Sequence, residues 1–170
     1  MPLGAHTSTM SGLSNYDLHD FLSRYAQESF QGVYAYDTFQ PVRREQLPIS
    51  LVINACPTSV EMGHWVAVFI NRNREGIFFD SYGLRPWGKF YVFLKNNSSE
   101  RFYNTMILQK DKVSCGQHCI YFICQMTKGR TLGDVLTLYR TSDMSPDRMV
   151  NDYFNKRKKY IKYDRRVLFF

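Results

Sequence analysis

Cysteine is scarce here and poorly spread for a disulfide framework. The chain has four, and three of them, Cys115, Cys119 and Cys124, crowd into residues 115–124. That crowding argues against a cross-linked secreted domain and for a reducing intracellular setting. Long apolar runs are also missing. No stretch approaches the roughly 20 residues a bilayer span needs, so no membrane partner is expected. The opening residues lack a basic segment followed by an apolar one, which speaks against a secretory leader. Internal repeats, low-complexity tracts and convincing linkers are absent. A length of 170 residues then suits one domain with a sizeable core, expected to be monomeric.

What the chain does contain is apolar and aromatic. Hydrophobic residues make up 44% and charged ones 22%, the balance of a folded globule. Thirteen phenylalanines and twelve tyrosines suggest a mixed α/β core filled by rings. The net charge of +7 is concentrated at the end. Lys156, Arg157, Lys158, Lys159, Lys162, Arg165 and Arg166, less Asp164, account for +6 of it. Tyr160 and Tyr163 interleave with them. Such a stretch neutralises phosphates and offers stacking surfaces, so DNA is a candidate partner beside the plainer reading of a solvated basic tail.

Periodicity places the elements. Ser14 as N-cap with Asp17 in capping-box position precedes Leu18, Phe21, Leu22 and Tyr25, which predicts an amphipathic helix. Residues 31–48 read as turn-rich, and Leu51 to Asn54 as a short strand. Trp65 to Ile70 and Ile77 to Asp80 read as a hairpin around a turn at 71–76. Phe90 to Lys95 reads as a short helix and Thr105 to Gln109 as a strand. A helix from Cys115 to about Thr127 is stopped by Gly129. Leu132–Tyr139 and Ser145–Lys158 read as two more helices, the second with Ser145-Pro146 as N-cap and first position. Val167 to Phe170 is expected to dock on the body.

The chemistry centres on Ser114-Cys115-Gly116-Gln117-His118-Cys119, where a loop turns into an apolar helix. Unpaired N–H groups and the helix dipole at that point favour a nucleophilic thiolate. Gly116 leaves room for a substrate backbone near the sulfur. His64 enters the first hairpin strand and Asp80 leaves the second, so an antiparallel pairing brings the two together at the open end. A carboxylate orients an imidazole, and an imidazole activates a thiol. Gln109, shortly before Cys115, offers an amide N–H to a developing oxyanion, alongside the Cys115 N–H. Cys119, one turn deeper, reads as buried filler, and Cys124 and Cys56 as structural. A metal site from Cys115, His118 and Cys119 with His64 or Cys56 is the competing arrangement. Helical Cys-x-x-His-Cys is not a common zinc spacing, and no second close pair is present, so no metal is expected.

The ordered set Gly63-His64-Trp65, Phe79-Asp80-Ser81-Tyr82-Gly83, Gln109 and Ser114–Cys119, with Phe30-Gln31-Gly32-Val33-Tyr34 ahead of it, resembles the adenain-type cysteine proteases. These are the maturation proteases of adenoviruses, with relatives in adenovirus-like agents and Maverick/Polinton transposons. The wider clan includes the proteases that remove SUMO-like modifiers. The likeness covers about residues 14–128. It implies an α+β fold, with a central mixed β-sheet flanked by helices and the nucleophile at the N-terminus of a buried helix. It implies His64 as general base, Asp80 as its orienting acid, Cys115 as nucleophile, Gln109 as oxyanion donor and Trp65 as an active-site neighbour.

On this resemblance the chain divides into a flexible 1–13, a protease domain 14–155 and a basic tail 156–170. The function expected is an endopeptidase cleaving viral or virus-like capsid and core precursor polypeptides after small residues, often glycine, in the host nucleus and virion. The family uses no metal or organic cofactor, and DNA and an activating peptide stimulate adenain. This chain has Arg101-Phe102-Tyr103-Asn104 where adenain carries the cysteine that pairs with that peptide. Asp80 stands in place of the glutamate usual in adenovirus enzymes, and Ser114 where SUMO-type proteases carry aspartate. Met10-Ser11-Gly12 faintly resembles an adenain-type cleavage context, which raises self-trimming. An isopeptidase acting on a ubiquitin-like modifier and a non-enzymatic nucleic-acid-binding protein are the alternatives.

Overall fold

The described residues form five strands and five helices. In order they are α1 (Asn15–Tyr25), β1 (Phe30–Ala35), β2 (Ile49–Asn54), β3 (Trp65–Ile70), β4 (Glu75–Phe79), α2 (Gly88–Asn97), β5 (Glu100–Tyr103), α3 (Cys115–Thr127), α4 (Leu132–Thr141) and α5 (Pro146–Val167). The computed structural model describes residues 12–40, 46–59 and 63–167, with side chains followed to residue 159. The expectations for residues 1–11 and 168–170 lie outside these.

One sheet runs β1-β2-β3-β4-β5 in sequence order. β1 pairs parallel with β2, β2 with β3 and β3 with β4 antiparallel, and β4 parallel with β5. Both faces are covered, which explains why the central strands read as continuous apolar runs. Side-chain alternation sorts them. Val52, Ala67, Phe69, Ile77 and Phe79 face a core shared with α1, α3, α4 and α5. Leu51, Ile53, Val66, Val68, Ile70 and Phe78 face a second core closed by Phe39, Phe90, Phe93 and Leu94.

α3 is the central helix, with every residue from Cys115 to Met126 buried. Phe122 stacks on Phe79 at 4.5 Å and 6°, which fixes the helix against the end of β4. Gly129 at φ 85° ends it. The capping boxes at Ser14–Asp17 and Thr131–Asp134 are both formed.

Two expectations fail locally. The stretch read as turns contains β1, whose single buried residue is Gly32, so the strand shows no buried apolar alternation. The strand expected at Thr105–Gln109 lies instead at Glu100–Tyr103. Residues 105–109 are irregular because the N–H groups of Leu108 and Gln109 both bond Ser81 O, at 2.8 and 2.9 Å, rather than joining the sheet. α5 runs on past Lys158, so the first part of the basic run is the outer half of a helix anchored by Met149, Val150 and Phe154.

Candidate active site

The β3–β4 register pairs Ala67 with Phe79. Carried past the strand ends, it sets His64 opposite Tyr82, with Asp80 two residues away on the same side. The rings of His64 and Tyr82 stack at 4.7 Å. His64 Nε2 stands 2.8 Å from Asp80 Oδ1. Asp80 is fully buried and His64 is 21% exposed. The same Asp80 oxygen accepts the Tyr82 N–H at 2.8 Å, while the Asn104 side chain brackets the Asp80 backbone, accepting from its N–H and donating to its carbonyl. The carboxylate is therefore held from its own strand end and from the segment beyond β5. The backbone of His64 is held as well, with Ala55 N–H donating to His64 O at 2.7 Å. The Asn54 side chain fills the space a Cβ at Gly63 would need.

With Nε2 committed to Asp80, Nδ1 is the ring nitrogen left for Cys115, with which the His64 side chain interacts. Burial alone drives the imidazole toward its neutral form. Hydrogen bonds to Asp80 and Cys115, and the charges of both, overcome it and raise the His64 pKa to about 9. The ring is thus an imidazolium at neutral pH, flanked by a carboxylate and a sulfur. Cys115 is 6% exposed and opens α3. Ser114 gives α3 no side-chain cap, and the helix's own first turn contains no acidic residue, which leaves the Cys115 N–H without a capping side chain from Ser114.

Gln109 is buried, in the irregular segment rather than at a strand end. Its Oε1 accepts from Ser81 Oγ at 2.7 Å, and its Nε2 donates to Asp111 O at 3.0 Å. The amide is pinned at both ends within the loop that leads to Cys115. Gly116 packs against α1 and the segment before it. A Cβ there would meet Leu13 at 3.1 Å and Leu18 at 3.4 Å, so its missing side chain admits α1 and the segment before it. Trp65 donates its indole N–H to Leu13 O at 3.0 Å. Leu13 and Trp65 line a groove of about 570 Å³ that reaches Cys115, with Lys112 as its single charged lining residue among those described.

His118 is not turned toward the cysteines. Its nitrogens sit 3.0 Å from Tyr139 Oη and 2.9 Å from Asp147 Oδ1. No group of three or more His, Cys, Asp or Glu side chains is arranged to hold a metal among the described residues. Cys119 is fully buried, and that burial pushes its thiol well above the usual range. A larger hollow of about 700 Å³ lies around the far end of α3, near Thr127 and Arg130, and has no cysteine or histidine among the described residues that line it. Sequence reasoning missed the supports, namely Asn104, Ser81, Asp111 and Asp147. None carries a local signal beyond the N-cap ahead of Asp147.

In the basic run, Arg157 stacks 3.6 Å over the Tyr153 ring, and Lys158 sits 5.3 Å over Phe154 and 4.0 Å from Asp17. Lys156 and Lys159 belong to the same stretch. The side chains of Lys162, Arg165 and Arg166 lie outside the described residues.

No protein-family model matches this chain, and no curated protein matches it. Solved structures do. The ASFV pS273R protease matches with a TM-score of 0.59 and 15% identity, over 82% of this chain and 65% of that one. The chain thus spans just under two thirds of that protein's length. The central domain of Lpg1148 from Legionella pneumophila matches at TM-score 0.53 and 16% identity, over 89% of this chain and 99% of that one. The Ulp1 protease domain, solved with SMT3, the yeast ortholog of SUMO, gives TM-score 0.49 and 12% identity, over 84% and 78%. The chain is a single α+β domain whose mixed five-stranded sheet and buried central helix have the fold of the pS273R protease.

Proposed function

We propose that this chain is a cysteine endopeptidase with Cys115 as nucleophile. The observation that carries the reading is the line Asp80–His64–Cys115, with a buried carboxylate 2.8 Å from an imidazole whose pKa is raised to about 9 by that carboxylate and by the thiol. His64 holds the proton of Cys115, and the thiolate attacks a scissile carbonyl. The oxyanion is met by the Cys115 N–H and by the Gln109 amide, whose Nε2 faces Asp111 O and Oδ1 in the resting site and turns a hydrogen to the substrate. Imidazolium protonates the leaving amine, and water, deprotonated by His64, hydrolyses the thioester. Asp80 keeps the ring in one orientation throughout.

A groove with a single charged lining residue suits an extended, mostly uncharged peptide. With the adenain resemblance, this favours cleavage after small residues such as glycine in viral or virus-like capsid and core precursors, in the host nucleus and the virion, with no metal or organic cofactor. The direct test is labelling with a glycine-ended peptide vinyl sulfone. The expected result is one adduct, mapped to Cys115, and cleavage of a glycine-containing peptide. Adducts on Cys56 alone remove the reading. Turnover of modifier conjugates but not of peptides moves it to an isopeptidase.

The proposal includes stimulation by DNA through Lys156, Arg157, Lys158, Lys159, Lys162, Arg165 and Arg166. Arg157 and Lys158 are partly spent on Tyr153, Phe154 and Asp17. With about five cations left, log affinity is expected to fall against log salt with a slope of about −4 to −5. A flat dependence separates the tail from DNA.

A further inference from the structure

The loop before the nucleophile is tied to a group the reaction does not use. Asp147 stands in the first turn of α5 and reaches back over the start of α3. Its Oδ2 accepts the N–H groups of Lys110 at 3.0 Å and Asp111 at 3.1 Å. Its Oδ1 lies 2.9 Å from Ser114 Oγ and 2.9 Å from His118 Nε2. One carboxylate thus fastens both ends of the 110–114 loop and the first turn of α3 to α5.

The bonds continue inward. Asp111 Oδ1 accepts the N–H groups of Val113 at 2.9 Å and Ser114 at 2.8 Å, and lies 2.8 Å from Ser114 Oγ. Asp111 O takes one hydrogen of the Gln109 amide. The direction of that amide and the placement of the Cys115 N–H both follow from where this loop sits.

His118 is the far anchor. Burial lowers its pKa against the pull of Asp147, so it is neutral. Burial holds Tyr139 as a phenol. The hydrogen bonds from His118, the loop N–H groups and Ser114 outweigh burial at Asp147 and keep it ionised. Tyr139 therefore donates to Nδ1, and Nε2–H donates to Asp147. The tautomer is set by the network.

We infer that Asp147 is a positioning residue for the oxyanion site: with His118 behind it, it fixes the loop that presents the Gln109 amide and the Cys115 N–H, and it does not touch the Asp80–His64–Cys115 line. This rests on the proposed protease reading. It separates two reactions of the same sulfur. Alkylation by iodoacetamide needs the thiolate and no oxyanion donor, whereas peptide hydrolysis needs both.

The test compares Asp147→Ala and Asp147→Asn with the unmodified chain in both reactions. For Asp147→Ala, kcat on a glycine-containing peptide is expected to fall about 10- to 100-fold with KM little changed, while the iodoacetamide rate at Cys115 stays within about threefold. Asp147→Asn is expected to restore kcat to within about threefold of the original. Its oxygen still accepts from Lys110 and Asp111, and its amide donates to Ser114 and to His118, which changes tautomer and donates to Tyr139.

The inference is overturned if kcat of Asp147→Ala stays within about threefold, if both rates fall together, or if Asn is as poor as Ala. Should Asp147→Ala not fold, Ser114→Ala, which cuts the tie between the two carboxylates, carries the test. The same split is expected there at about 3- to 10-fold, and its absence counts against the inference. If the unmodified chain cleaves no peptide at all, the protease reading itself has failed, which is a separate result.

Discussion

Replacing Cys115 with alanine is expected to abolish turnover, lowering kcat by at least about 10⁴-fold while leaving the fold in place. The size follows from the roles. No other group in the site supplies a nucleophile. Cys119, its neighbour one turn on, is fully buried and kept protonated. The fold survives because the change removes one sulfur at the groove surface, at the first position of α3, where alanine is a good helix former. A shift of the thermal midpoint by more than a few degrees would signal a structural role instead. Cys119→Ala is the control. It removes a buried thiol, costs about 1 kcal/mol or more in stability, and leaves turnover in place. Turnover lost with Cys119→Ala and kept with Cys115→Ala would reverse the assignment.

The parts of the site legible in the sequence were those set by local rules. His64 and Asp80, 16 residues apart, meet because a hairpin closes by register, and the tight turn at Asn71–Glu75 sets that register. Cys115 was visible because an apolar helix has an identifiable start. The supports were not legible, because each depends on chain-distant meetings. Asn104 reaches Asp80 across 24 residues, and Asp147 reaches Asp111 across 36. No spacing rule encodes either.

The edge strands failed for a related reason. All four residues of β5 are exposed, and β1 starts with a bulge between Phe30 and Gly32. Parallel pairing with β4 and β2 makes them strands, not their own pattern. The apolar look of Thr105–Gln109 misled because its backbone is taken by Ser81.

Asp80→Asn is expected to lower kcat/KM by about 10²- to 10⁴-fold and, more tellingly, to shorten the pH profile from the alkaline side. Imidazolium must be present to protonate the leaving amine. With Asp80 in place, the His64 pKa of about 9 keeps it charged through neutrality, so activity is expected to hold to about that pH and then fall. Burial works against the charge, and Asp80 is the largest contribution opposing it. Asparagine removes the anion, and its amide presents either a weaker acceptor or a donor that forces the wrong tautomer. The alkaline limb is then expected to move down toward the ordinary value of 6.5. Stability follows the same sign. The group's pKa is raised on folding, so its contribution is complete below about 6.5 and fades as pH climbs to about 9, and Asp80→Asn flattens that slope. The decisive measurement is kcat/KM from pH 5 to 10 for both proteins. An alkaline limb that stays near 9 in the variant would mean that Asp80 is not what holds the proton on His64.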